Sequence, residues 1–430
     1  MKKTNLNRTV SQRTGGALLL LAAAPCLHAA QPIIMTPPPP VTTPAWSQEE
    51  STNDEMQVFI PTGQLRTHGD QPFQWGPVVF RPHVNYGFTY GNNIEYSTNH
   101  TTATIIQTIT PGMTVDIGRH ITLDYTPTLT YYSSSQLADT LGHAADLNWA
   151  TAYDDWAFGL TQTWSLSTTP LAETAAPTED EDFATGVTAS YMINDHFSTD
   201  LAANQDLNYA TDLQDSKTWS TMDWLNYSFW KRLSIGVGAG FGYTTLSPDG
   251  NNTTSVDNIQ TFQDLQGRVN WRATDKISIA VSAGFEDRQF HTAGESDSLN
   301  PIFSASIQYQ PFEHTQLALT AGRTVSSSDY YIISQSTEVT SVGVSLDQRL
   351  FGKYSLDAAV SYSDTVYNES VLVNAATRDD NQYSFTLSLR RQIFKRGSIS
   401  INYQYQDNES NTAGFTYATS QIGFQVGYSY

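Results

Sequence analysis

The chain has 430 residues, enough for two or three soluble domains or one large barrel; 15% are charged and 12% aromatic. Soluble proteins carry about 25% charged residues. The mix is too aromatic for a disordered chain and too polar for a helical membrane protein, but a lipid-facing β-barrel needs apolar side chains at only half of its strand positions. The formal net charge of −20 argues against nucleic acid as a partner and leaves an acidic surface or a cation-attracting pore.

Residues 1–30 read as a secretory signal peptide. Lys2, Lys3, Arg8 and Arg13 make a basic start, Gly15 to Ala24 a small apolar run, and Ala29 and Ala30 cleavage positions. The run is shorter than the ~20 residues a spanning helix needs. Cys26 is the only cysteine, and Pro25 before it is unlike the small residue of a lipid-attachment motif. Without the signal, 18 basic and 42 acidic residues leave a net charge of about −24, and no thiol remains for disulfides or thiolate metal sites. Residues 31–72 read as a Pro-rich periplasmic linker: Pro32, Pro37 to Pro40 and Pro44 favour an extended, solvated segment that cannot pack a core.

From residue 73 to 430 one pattern repeats. Val84, Tyr86, Phe88 and Tyr90 alternate with polar residues and lead into the polar stretch Gly91 to Thr101. Ile121, Leu123, Tyr125, Leu129 and Tyr131 leave Thr122, Asp124, Thr126, Thr128 and Thr130 on the other face. Leu233, Ile235, Val237, Ala239, Phe241 and Tyr243 oppose Ser234 and four glycines. Such a period of two puts one greasy and one small or polar face on each strand. About 18 strands follow. Pro111 and Pro127 fall inside strands, where a missing N–H costs a ladder bond unless the strand bulges. Around Asp223 and Trp224 the phase is ambiguous, because Leu225, Tyr227 and Phe229 put Asp223 on the greasy face; a bulge is expected there.

Tight turns, such as Gly118 to His120, Lys231 to Arg232 and Gly352 to Lys353, alternate with long stretches such as Ser167 to Asp182 and Ser363 to Asn381. A soluble sandwich has no reason to keep all long loops on one edge. Outer-membrane barrels do, with short periplasmic turns and long extracellular loops. Trp156, Phe197, Trp230, Trp271, Phe312, Phe351 and Phe394 sit beside the tight turns as an interfacial girdle would. Most basic residues outside the signal flank the same turns. The fold expected is an all-β, transmembrane antiparallel up-and-down barrel.

Ile422, Phe424, Val426, Tyr428 and Tyr430 alternate with Gly423, Gln425, Gly427 and Ser429. A chain ending this way resembles the assembly signal of outer-membrane barrels, which implies the barrel-assembly machinery as a partner. Further, Phe80-Arg81-Pro82 to Tyr90, the pair Asn92-Asn93, and Ile109-Thr110-Pro111-Gly112-Met113 resemble the opening of a provisionally named family of outer-membrane β-barrel porins of Gram-negative bacteria. The resemblance runs from Val78 to Gly118 and loosely along the hairpins to Tyr430. Gly91 and the final Tyr depart from the family's commoner acidic residue and Phe. The family implies a barrel with a transport role in the outer membrane, in contact with lipid and lipopolysaccharide.

No HExxH pattern and no motif-flanked serine accompanies the histidines. His120, His196 and His314 fall in tight turns, and His83 has interior parity. No catalytic, cofactor or metal site is expected, and the chain is not read as an enzyme. Asp124, Asp200, Asp264, Arg268 and Asp357 have interior parity; they either solvate a water-filled lumen or line a constriction that sets selectivity. Asp264 and Arg268 lie four residues apart, about 13 Å along a strand, so their partners must come from neighbouring strands. The expected function is passive diffusion of small hydrophilic solutes with a cation preference. An exopolysaccharide or other surface-polymer export barrel and a non-transporting adhesion barrel remain alternatives.

Overall fold

The computed structural model describes residues 73–94, 96, 103–171, 176–211, 214–248, 258–291, 297–327, 334–369 and 377–430; the expected signal peptide and Pro-rich linker, residues 1–72, lie outside the described residues. The strands are β1 (Phe73–Trp75), β2 (Val78–Asn92), β3 (Ala103–Ile117), β4 (Ile121–Tyr132), β5 (Thr140–Tyr153), β6 (Trp156–Leu171), β7 (Ala176–Met192), β8 (Phe197–Ala210), β9 (Gln214–Trp230) and β10 (Leu233–Pro248). They continue with β11 (Asn258–Thr274), β12 (Ile277–Phe290), β13 (Ser298–Phe312), β14 (Thr315–Ser327), β15 (Ser334–Leu350), β16 (Tyr354–Glu369), β17 (Arg378–Ile393), β18 (Gly397–Ser410) and β19 (Tyr417–Ser429). From β2 onward each strand pairs antiparallel with its chain neighbours, and β19 returns to β2 from Ser420↔Asn92 to Ser429↔His83. β2 to β19 therefore close an 18-stranded up-and-down barrel, as the alternating sequence requires. In lipid every backbone N–H and C=O must find a partner within the protein, and closure supplies one for each strand edge.

The two faces follow the period of two. On β10 the outward Val237 and Phe241 are 64% and 62% exposed, while Gly236 to Gly242 line the inside at alternate positions. The tight turns gather at one end, the periplasmic one by the pattern of such barrels.

Three expectations need correction. Pro111 and Pro127 require no bulge: the β3–β4 register resumes unshifted from Ile109↔Leu129 to Met113↔Tyr125, which sets the two prolines opposite each other in a single gap. Both remain paired on their other sides, Pro111 with Val84 and Pro127 with His143, so the two missing N–H groups share one place. No bulge occurs at Asp223 either, since the register runs unbroken through Leu225↔Val237, Asp223↔Ala239 and Thr221↔Phe241. Packing inside the barrel sets that phase: Trp224 is buried against Gly238, where a Cβ would come within 2.6 Å of the indole, and Asp223 is left facing outward.

The third correction concerns the long connections. β6 and β7 stay paired up to Leu171↔Ala176, so Glu179 to Asp182 belong to a strand and not to a loop. The stretch after β2 is less polar in structure than in sequence. Ile94 packs over the inner face at Gly91, and Tyr96 is fully buried with its ring 4.3 Å from that of Tyr417. Burial pushes the Tyr96 phenol above its ordinary pKa.

The short β1 was not expected. Gly76, at φ +59°, turns the chain with Pro77 so that Phe73, Gln74 and Trp75 pair with Phe80, Val79 and Val78. β1 thus takes over the edge of β2 just where β19 ends, with Tyr430 N–H donating to Pro82 O at 3.0 Å.

Candidate functional site

The candidate site is the inner face of the barrel. Asp124, Asp200, Asp264, Arg268 and Asp357 all point to it, on β4, β8, β11 and β16, because each shares parity with small or polar neighbours. The structure brings Asp200 and Arg268 together but not Asp264 and Arg268. Arg268 lies across β10, its Nε donating to Asn226 Oδ1 at 2.9 Å and its Nη2 to the Asp200 carboxylate. Asn226 Nδ2 donates to the same Asp200 oxygen at 2.9 Å, and the guanidinium lies 4.4 Å from the Trp224 ring centre.

Gly236 makes this crossing possible. A Cβ there would come 2.5 Å from Asn226 Oδ1 and 3.1 Å from Arg268 Cγ. The glycine stripe of β10 is therefore a floor on which side chains of β9 and β11 lie flat, which is why alternate positions of that strand carry no Cβ.

Asp124 accepts from Thr114 Oγ1 at 2.5 Å and from Thr126 Oγ1 at 2.7 Å. His83 Nε2 sits 3.1 Å from Thr126 Oγ1, while its Nδ1 is 4.0 Å from Asp124, beyond hydrogen-bond length. The Thr126 hydroxyl proton is committed to the carboxylate, so the group reads as a structural hydrogen-bond cluster on the wall. Asp357 lies 3.7 Å from Arg390 and directly opposite Asp347 across the β15–β16 ladder. Asp264 has one carboxylate oxygen buried without a hydrogen-bond partner among the described residues.

Six further arginines face inward, Arg81, Arg272, Arg288, Arg349, Arg378 and Arg390, which corrects the expected excess of four aspartates over one arginine. Arg81 pairs with Asp116 at 2.5 Å and Arg390 with Asp357; nearer the extracellular end Arg288 pairs with Glu286 at 2.7 Å and Arg378 with Asp380. Arg288 and Arg378 are almost wholly enclosed. Arg288 also donates to Gln260 and to Val325 O, and Arg378 lies 3.6 Å from the Phe415 ring centre. Strand parity alone could have found all six, but partners depend on register, which no single strand encodes. Among the inner-face residues in no ion pair are Asp146, Asp264 and Asp347, and, toward the tight-turn end, Arg272 and Arg349.

Among the described residues no group of three or more His, Cys, Asp or Glu side chains is placed to hold a metal ion. No curated protein matches the chain. Among solved structures it is similar to the siderophore receptor PirA of Pseudomonas aeruginosa, at 11% identity over 82% of this chain and 80% of that one, with a TM-score of 0.41. It is also similar to the apoprotein form of the FrpB iron transporter of Neisseria meningitidis, at 9% identity over 82% and 81%, TM-score 0.46. A third is the siderophore receptor PiuA of Acinetobacter baumannii, at 9% identity over 81% and 82%, TM-score 0.43. The opening resemblance at Val78 to Gly118 falls on β2 and β3; the family match falls on the other side of the barrel. Residues 249–430, which carry β11 to β19, match the model of the family described as Putative beta-barrel porin 2, and in that part of the wall the chain is similar to the family.

Proposed function

We propose that the barrel is a passive channel for small hydrophilic solutes that prefers cations. The observation that carries the reading is the charge of the inner face. Five of its arginines are held in ion pairs with Asp116, Asp200, Glu286, Asp357 and Asp380. Among the charges in no ion pair, Asp146, Asp264 and Asp347 outnumber Arg272 and Arg349, and both of these arginines lie toward the tight-turn end. Fixed carboxylates on a wall of low dielectric raise the local cation concentration. The strand number supports a lumen wide enough for water, since barrels of 16 to 18 strands enclose aqueous channels where eight-stranded ones fill with side chains.

On this reading the chain carries solutes and catalyses no reaction. A signal peptide exports it, the barrel-assembly machinery inserts it, and its outward apolar band meets lipid and lipopolysaccharide. The test is insertion of purified protein into a planar bilayer under a KCl gradient. Stepwise conductance with a cation-directed reversal potential is expected; absence of conductance, or an anion-directed potential, overturns the reading.

A further inference from the structure

Cations are spread unevenly round the tight-turn rim of this barrel. No Lys or Arg lies between Arg119 and Lys217, so the turns at Asp154-Asp155 and Asn194-Asp195-His196 carry only acids and a histidine as ionisable groups. Elsewhere on the rim, Phe351-Gly352-Lys353 follow β15 and Phe394-Lys395-Arg396 follow β17, with Arg391 on the outer face just above. From the register row Val344, Val360, Phe385, Tyr405 and Ser420 down to these two turns, the outer face of β15 to β19 has no acidic side chain. Lys353, Arg391 and Lys395 form no ion pair among the described residues; Arg391 lies over the Tyr354 ring opposite it, 5.2 Å from its centre.

The two phenylalanines are held in an unfavourable way. Phe351 and Phe394 have left-handed backbones, φ +52° and +59°, and are 91% and 92% exposed. That conformation suits Gly or Asn in a tight turn and is costly for a bulky residue; the turn after β3 uses Gly118 there, at φ +64°. A large apolar ring left in water adds a second cost. Their exposure excludes packing against the chain itself. The second cost disappears where the rings enter the boundary between headgroups and hydrocarbon, the level at which barrels carry their aromatic girdles. The lipid-facing band leads directly to both turns through Leu356, Leu389 and Ile399 on the outer face.

We infer that the outer rim at these two turns is a docking surface for anionic phospholipid of the inner leaflet. Lys353, Arg391 and Lys395 take the headgroup phosphate, and Phe351 and Phe394 anchor in the lipid boundary. The turns are two strands apart, roughly 10 Å at ~4.8 Å per strand, so their cations act on one small area of membrane surface. Each Lys offers a compact charge and Arg391 a planar fork, both suited to phosphodiester oxygens. Basic side chains beside a membrane surface attract anionic headgroups, and no acid of this sector opposes them. The acidic turns of β5 to β8 repel the same headgroups, so anionic lipid is sorted to one side of the barrel. The inference needs the barrel in a bilayer but not a conducting lumen.

The test uses the full chain folded into phosphatidylcholine vesicles with a trace of spin-labelled lipid, either phosphatidylglycerol or phosphatidylcholine. A larger fraction of the phosphatidylglycerol label should be immobilised at the barrel surface, and the difference should fade at high salt. Lys353→Gln, Arg391→Gln and Lys395→Gln together should remove the difference while the barrel still shifts on heating, which shows that it has folded. Lys217→Gln, near the other end of β9 and beside Asp215 on the same face, should leave it unchanged. Phe351→Asn with Phe394→Asn relieves the backbone, yet should lower the urea midpoint in these vesicles because the rings are lost from the lipid boundary. In cells, a photo-cross-linker on Phe394→Cys, in a Cys26→Ser background, should add the mass of a phospholipid. Equal immobilisation of the two lipids, a difference that survives the triple change, a raised midpoint in the double Asn variant, or an adduct with a protein overturns the inference.

Discussion

The ring of Phe73 stacks on that of Tyr430, with centroids 4.9 Å apart and planes 22° apart. The residues are 357 positions apart in sequence, and the contact joins the first described strand to the last at the seam of the barrel. Arg396 covers Tyr430 from another strand end, its guanidinium 3.7 Å from the ring centre. Aromatic pairs of this geometry contribute about 0.5–1.5 kcal/mol beyond their burial. Phe73→Ala and Tyr430→Ala should therefore couple by about that amount in a double-mutant cycle of urea unfolding in lipid vesicles. Additive effects would mean that the stacking contributes nothing to closure.

The same residue has a second expected role, in assembly. Tyr428 and Tyr430 face outward at the end of β19, where the alternation resembles a recognition strand. Tyr428→Asp with Tyr430→Asp should lower the amount of protein in the outer membrane well beyond what Phe73→Ala does, because only the former pair disturbs recognition as well as packing. Equal losses from both, measured by membrane fractionation, would leave a purely structural role.

Much of the barrel was legible because one face of each strand is greasy, and that pattern gives strand, face and turn together. What failed to show was register. Asp200 and Arg268 could each be placed on the inner face, but their ion pair spans β8 to β11 and depends on Gly236 leaving room above β10. The strand character of Glu179 to Asp182 was hidden because both faces are polar above the membrane, so no hydrophobic period survives there. β1 was missed because three residues are too few to show a period at all. The Asp223 phase was misjudged because an outward charge looks like an error in a lipid-facing strand; the buried Trp224 decides it.

Gly236→Val should disturb the interior more than its exposed neighbour Val237→Ala. The added Cβ alone would overlap Asn226 and Arg268, and expelling the guanidinium breaks its bonds to Asp200 and Asn226. Hydrogen bonds to charged groups contribute about 1.5–3 kcal/mol, so the midpoint of urea unfolding should fall by a corresponding amount. An unchanged midpoint would show that Arg268 finds an equivalent position.

Tyr96 should hold the described part of the first extracellular connection against the mouth of the barrel. Its ring is buried against Tyr417, whose hydroxyl accepts from Gln382 at 3.3 Å and Gln406 at 3.1 Å. Removing a buried aromatic side chain costs on the order of 3 kcal/mol, more than a loop contact can lose and stay docked. Tyr96→Ala should raise single-channel current noise and expose the connection to protease in intact cells, while Tyr90→Ala, on the outer face, should do neither. Protease resistance in Tyr96→Ala would place the anchoring elsewhere.

Arg268 and Asp264 lie on the same strand and face, so replacing either changes the inner charge by one unit with opposite sign. Arg268→Met leaves Asp200 without its ion-pair partner and should strengthen the cation preference; Asp264→Asn removes an acid that has no ion pair and should weaken it. Both shifts act through the field of fixed charges. They should be largest near 0.01 M salt, where the Debye length is ~30 Å, and fade toward 1 M, where it is ~3 Å. Reversal potentials of the two variants under matched KCl gradients measure this directly. Shifts in the same direction would mean that the substitutions reshape the lumen instead of recharging it, and shifts that persist at 1 M would place the discrimination in direct contact with the ion.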